Sequence, residues 1–296
     1  FTAIHLDRRD VLWLGSLKNG LLKIDLNRKP FHKIILRSKD GRIQYMPGGI
    51  LEDSRGRLWV SALNGILLCK EKNKADWVKY SYQGRNSDFR AWLYGNFVIH
   101  PYGKIWFSSF FWEIVAFYPD RVFAENKTPV FEKLSPKGSQ DGKLSGWAPR
   151  KLAIDSNKHI WIAYYDAGLD EYDPIKNKIV KHYFHDPYNS QSLSSNTLWT
   201  VYAGKNNTIY VGTENSGFDV LDPARNGFRN YRMTDSCSTK GLLSNSVRCF
   251  LEDQTGCIWI GTSGGGVSCF VPETGEIKTW TKNDGISNNV VYGILE

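Results

Sequence analysis

The residues best suited to binding chemistry in this 296-residue chain stand just upstream of its short apolar runs. Two residues before each run the column reads Thr2, Gly48, Gly95, Arg150, Trp199, Arg248 and Tyr292. Three positions further out it reads Tyr45, Trp92, Trp147, Asn196, Asn245 and Asn289. Aromatic rings recur in both columns, and two arginines stand in the first. A flat ring can stack on the apolar face of a sugar, and an Arg fork binds carboxylate or sulfate in bidentate fashion. The expected ligand-binding residues are therefore Arg150, Trp199, Arg248, Tyr292, Tyr45, Trp92 and Trp147. Loops that follow the second run of each repeat add Trp112, Tyr164, Tyr165, Asp166, Glu214 and Asn215, whose polar groups could reach hydroxyls. The competing reading is that the rings fill a central channel or meet a neighbouring domain, and that the loop residues are simply solvated.

Other chemistry is less well supported. His182 and His185, with Asp186 in HYFHD, suggest a metal, but residues three apart on a strand face opposite ways and no cysteine cluster joins them. Asp7, Asp53, Asp155 and Asp253 recur at one place in the repeat, which suits a turn-former capping backbone N–H groups better than a catalyst. GTSGGG at 261–266 lies between two strand runs with no following helix, so a phosphate cradle lacks its dipole. No Ser–His–Asp set can be assembled. The expectation is no catalytic residue, no metal and no cofactor.

Composition narrows the class. The chain is 41% hydrophobic with mean hydropathy −0.40, but 14% aromatic with 11 Trp, which excludes a disordered chain. Its formal charge is +8, from 38 Lys and Arg against 30 Asp and Glu. That makes an acidic partner possible, whether nucleic acid, anionic lipid or an acidic polysaccharide, but the basic residues are dispersed, as in KEKNK at 70–74, and read as solvated turns; no direct nucleic-acid contact is expected. No apolar run is long enough to span a bilayer, and any export or anchoring signal is expected outside this chain. Of five cysteines, Cys249, Cys257 and Cys269 lie in apolar runs and read as buried free thiols.

The elements that must position these residues form a repeat. LWLGS at Trp13, LWVSA at Trp59, IWFSS at Trp106, IWIAY at Trp161, IYVGT at Tyr210 and IWIGT at Trp259 follow one another at a near-constant interval. A first apolar run precedes each anchor, from IHLD at Ile4 to FLED at Phe250, across an Asp/Asn–Gly turn that suits a hairpin. A glycine turn, a third run and a more polar fourth run follow. Four antiparallel strands per repeat, wettest last, are what a propeller blade requires. The predicted fold is all-β, a β-propeller of six complete four-stranded blades and the first strand of a seventh. Blades are expected at about 1–44, 45–91, 92–146, 147–195, 196–244 and 245–288, with 289–296 beginning the next. The third departs most, with an elaborated loop. Seven blades are expected in the parent, of which this chain is a piece.

ILEDSRGRLWVSALNGI, FLEDQTGCIWIGTSGGGV and GISNNVVYGILE resemble the regulator-propeller repeats in the sensor halves of hybrid two-component systems of Gram-negative gut bacteria. The resemblance covers nearly the whole chain and is weakest in the third repeat. It implies a periplasmic propeller that recognises a glycan fragment, acidic if the charge is a guide, and controls genes for polysaccharide use. It also implies a second propeller and a β-sandwich in the same protein, a homodimer, and a kinase, receiver and DNA-binding domain elsewhere. Streptogramin-lyase propellers have related repeats, which keeps an enzyme reading open. A purely structural propeller is the third.

Overall fold

The structure, a computed structural model, describes residues 3–8, 11–16, 20–25, 28–36, 47–62, 66–74, 76–81, 96–108, 113–124, 130–135, 143–222, 224, 227–233 and 241–294. The chain divides into two compact units, Phe1–Ser135 and Pro136–Glu296.

The first unit holds three four-stranded sheets. They are β1 (Ala3–Leu6), β2 (Val11–Ser16), β3 (Gly20–Asp25) and β4 (Arg28–Ile34); β5 (Pro47–Glu52), β6 (Leu58–Ala62), β7 (Ile66–Lys70) and β8 (Trp77–Ser81); and β9 (Phe97–Ile99), β10 (Ile105–Ser108), β11 (Ile114–Phe117) and β12 (Glu132–Leu134). A short helix, α1 (Pro119–Ala124), lies between β11 and β12. The second unit also holds three. They are β13 (Pro149–Ile154), β14 (Ile160–Tyr164), β15 (Leu169–Asp173) and β16 (Lys178–Tyr183); β17 (Leu198–Ala203), β18 (Ile209–Thr213), β19 (Phe218–Leu221) and β20 (Phe228–Tyr231); and β21 (Val247–Glu252), β22 (Ile258–Thr262), β23 (Val267–Val271) and β24 (Glu276–Trp280). In every sheet consecutive strands pair antiparallel, as six four-stranded blades.

The recurring aspartate explains the first hairpin. In the second blade one Asp53 oxygen accepts the N–H groups of Arg55 and Arg57, and the other accepts the Trp59 indole N–H at 2.8 Å. Asp7 serves Val11 and Trp13 in this way, Asp155 serves His159 and Trp161, and Asp253 serves Cys257 and Trp259. One carboxylate thus caps the turn and satisfies the indole of the anchor Trp. That lets Trp13, Trp59 and Trp161 sink to 4%, 0% and 0% exposure. Burying such a ring contributes roughly 5 kcal/mol of transfer free energy. In the fifth blade Gly204 replaces the aspartate and Tyr210 the tryptophan, so acceptor and indole donor disappear together.

The hydrophobic clusters lie between successive blades. Trp13 and Leu21 of the first blade pack with Val60 and Leu68 of the second, and Trp59 and Leu67 of the second with Phe107 and Phe117 of the third. In the other unit Trp161 and Leu169 meet Val211 and Leu221, and Tyr210 and Phe218 meet Ile260 and Phe270. Close approach needs a missing side chain. A Cβ on Gly212 would come within 2.8 Å of Val247 in the next blade. Gly217, in the turn before β19, has φ 78°, and a Cβ there would lie 2.0 Å from the Tyr231 carbonyl oxygen.

Three features differ from expectation. The third blade carries α1, whose Asp120 binds Arg55 and the buried Arg57 of the β5–β6 hairpin, at 2.8 and 2.7 Å. Residues 290–294 form no strand; Val290 makes an isolated bridge to Ser263, and the Val291 N–H donates to the Thr262 carbonyl. Cys257 and Cys269 are joined in a disulfide with Cα atoms 6.0 Å apart, not left as free thiols. Antiparallel pairing sets Cys269 opposite Trp259, which brings it diagonal to Cys257. Cys69 and Cys249 are free, and Cys237 lies outside the described residues.

Candidate functional site

Arg150, Trp199 and Arg248 hold the same place in the three blades of the second unit, and each is the extra residue of a β-bulge. Pro149 pairs with Tyr164 and Lys151 with Ala163, so Arg150 is passed over. Trp199 is passed over between Leu198 and Thr200, and Arg248 between Val247 and Cys249. A bulge leaves one residue out of the ladder and re-aims its side chain. Strict alternation is therefore not what aligns these positions, as the sequence suggested. The bulge turns them away from the blade interfaces.

The three side chains come together. The Arg248 guanidinium carbon lies 3.8 Å from the Trp199 ring centroid and that of Arg150 4.7 Å from it. Arg150 also stands 4.5 Å over Tyr165, which meets Trp199 edge-on at 5.6 Å. The Tyr165 hydroxyl donates to Glu214 Oε1 at 3.2 Å. Tyr165 and Glu214 are equivalent residues of adjacent blades, fixed by N–H bonds to the Ala148 and Thr197 carbonyls, as Ser263 is by Ser246. Cation–π contact in a partly dry place is worth about 1–2 kcal/mol, which helps hold two like charges near one ring. Two donors, Trp199 Nε1 and Arg248 Nε, are covered from solvent and have no acceptor among the described residues.

The other expected residues fall elsewhere. Tyr164 is 0% exposed and belongs to the core; its hydroxyl donates to Asp170 at 2.7 Å, and burial together with that carboxylate drives the phenol well above its usual pKa. Its neighbour Tyr165 is the ring at the cluster. Asp166 accepts the N–H groups of Trp147 and Ala148 and so shapes the loop leading into β13, with the Trp147 side chain 46% exposed. Tyr292 is 63% exposed. Tyr45, Trp92 and Trp112 lie outside the described residues, as do Thr2 and Gly95. The asparagine column is a latch between blades. Asn196, Asn245 and Asn289 accept the His185, Met233 and Lys282 N–H groups through their side chains, while their carbonyls accept from Gly168, Gly217 and Gly266.

The histidines are engaged separately. His182 Nδ1 lies 2.8 Å from Asp170, and His185 Nδ1 donates to the Leu193 carbonyl. Asp155, His159 and Glu171 bring ligand atoms within 4.8 Å of one another, but Asp155 already serves the His159 N–H and the Trp161 indole. In the first unit a concavity lined by Asp7, Lys23, Glu52, Lys70 and Lys72 lies at the β1–β2 and β5–β6 turns and mixes both signs of charge.

Comparison with known proteins fits this architecture. Residues 241–264, from the lead-in of β21 through β22, match the model described as "Two component regulator propeller". The chain carries a regulator-propeller repeat. Comparison with curated proteins finds no match. Among solved structures, the extracellular domain of the putative hybrid two-component system BT3049 from B. thetaiotaomicron superposes with a TM-score of 0.73 at 20% identity, over 96% of this chain and 34% of that one. The corresponding domain of BT4673 from the same organism gives 0.56 at 16%, over 97% and 42%. Virginiamycin B lyase from Staphylococcus aureus gives 0.67 at 13%, over 94% and 83%. These likenesses establish a β-propeller fold, and the chain spans about a third of the length of the BT3049 domain. No helix among the described residues is long and apolar enough to cross a membrane.

Proposed function

We propose that this regulator-propeller region is part of the extracytoplasmic sensor of a hybrid two-component protein and recognises an oligosaccharide, thereby regulating genes for polysaccharide use. The observation that carries the reading is the convergence of Arg150, Trp199 and Arg248, three bulge residues from three blades, beside Tyr165 and Glu214. Residues at one repeat position that differ from blade to blade are free of scaffold duty, and here they offer a ring, two cations and a carboxylate on one surface. Sugar rings are recognised by such mixtures of flat apolar and hydrogen-bonding groups. The Cys257–Cys269 disulfide supports an oxidising compartment, the periplasm in this reading. The partners are a second propeller and a β-sandwich of the same protein, and a second copy of it. Ligand binding would favour one packing of these parts over another and so set kinase output.

Calorimetric titration of the chain with oligosaccharides of defined composition tests this. Binding that Trp199→Ala abolishes supports the site. Absence of binding by every oligosaccharide, or binding indifferent to Trp199→Ala, would overturn it. The lyase alternative needs an acid and a base at the cluster, and the described residues there include no histidine. Ligand turnover in the same titrations would favour it.

A further inference from the structure

We infer that the bulge cluster is built for an anionic group, so that the ligand is an oligosaccharide carrying carboxylate or sulfate; this rests on the oligosaccharide reading above. Arg248 makes no ion pair and no hydrogen bond to any described residue; its one contact of note is with the face of Trp199. Its Nε and the indole Nε1 of Trp199 are both covered, and both are without an acceptor. A folded chain seldom leaves two neighbouring donors in that condition, because each has given up water for nothing. The chain had acceptors within reach of the rim. Glu214 sits beside Tyr165 and accepts its hydroxyl, and Asp166 accepts the backbone N–H groups of Trp147 and Ala148. Both carboxylates are thus turned to neighbours within the rim.

What would satisfy the two donors is an acceptor from outside. A neutral sugar hydroxyl could serve one of them, but a carboxylate or sulfate presents several oxygens in one small group, matching a guanidinium edge and an indole N–H together. The second guanidinium, Arg150, stands over the same ring and over Tyr165, so an anion arriving there meets two cations. Tyr165 then lies on the flank, suited to the sugar ring that bears the anion.

The test uses the full chain and three probes of matched length: an oligogalacturonate, a sulfated chondroitin oligosaccharide and a neutral galacto-oligosaccharide. Calorimetry should show one or both acidic probes binding, with affinity that falls as salt rises, and the neutral probe at least roughly tenfold weaker, the ratio expected from one charge-assisted contact. The oligogalacturonate and chondroitin arms separate carboxylate from sulfate. Arg248→Gln should lower acidic affinity roughly tenfold or more. Trp199→Phe, which keeps the ring and removes the N–H, should lower it by less. Thermal melting of each variant guards against a folding defect, and Arg150→Gln provides a second route should Arg248→Gln unfold. If the neutral probe binds as well as the acidic ones and Arg248→Gln changes nothing, the anion inference fails while the oligosaccharide reading stands. If no probe binds, both are overturned.

Discussion

Replacing Asp155 by Ala probes the device on which the blades depend. Asp155 is 4% exposed and accepts from the His159 N–H at 2.9 Å and the Trp161 indole at 3.0 Å, and Trp161 itself is fully buried. Truncation removes the ionised acceptor from both donors. A hydrogen bond to a charged group contributes about 1.5–3 kcal/mol, and a stranded buried donor costs a similar amount, so Asp155→Ala should destabilise by about 2–4 kcal/mol. The fifth blade suggests the compensation, since there the carboxylate and the indole are both absent, as Gly204 and Tyr210. Trp161→Phe removes the donor that Asp155→Ala leaves unsatisfied. The double variant should therefore be less destabilised than the sum of the singles by about 1–2 kcal/mol. Urea unfolding followed by far-UV circular dichroism measures all four corners of the cycle. Additivity within about 0.5 kcal/mol would refute the claim that carboxylate and indole act as one unit.

Three other outcomes are expected. Burial raises the Asp219 carboxyl to about 6, despite the bonds it accepts from Ser194 and Asn230. The folded state then holds its proton more tightly than the unfolded, so stability should fall by up to about 3 kcal/mol as pH rises from roughly 4 to 6, a slope that Asp219→Asn removes. Gly217→Ala forces a side chain into a left-handed turn against the Tyr231 carbonyl and should cost at least about 1–3 kcal/mol in denaturant unfolding. In the non-reduced chain, alkylation under denaturing conditions followed by mass mapping should label Cys249 but not Cys257 or Cys269. Serine at Cys257 should cost roughly 2–3 kcal/mol.

The blades were legible because they depend on local rules that repeat. The Trp anchors, Asp–Gly hairpins and glycine turns each answer a need that recurs in every sheet, and recurrence exposes them. The column Arg150, Trp199 and Arg248 was also picked out as one set, and the three side chains do converge, but the alternation argument behind it was incomplete. Apolar residues three apart, Pro149 and Leu152 or Val247 and Phe250, are both buried in one strand. That spacing breaks the period of two and was a readable sign of the bulge. Tyr164 and Tyr165 could not be told apart without knowing where β14 leaves its ladder, and the first proved to be core. The Asn196, Asn245 and Asn289 latch was hidden because its partners lie in the preceding blade, in the turn before its third strand and just past its fourth. The disulfide was missed for a similar reason, since Cys257 and Cys269 become neighbours only once the β22–β23 register is fixed.

The most direct measurement of the binding claim is the indole N–H spectrum of the chain during titration with the oligogalacturonate, the chondroitin oligosaccharide and the neutral galacto-oligosaccharide. The Trp199 signal is identified by its loss in Trp199→Phe. The account predicts that this signal moves as ligand is added, while those of the core residues Trp59 and Trp161 hold still. A bound oligosaccharide that leaves the Trp199 signal unmoved would contradict it.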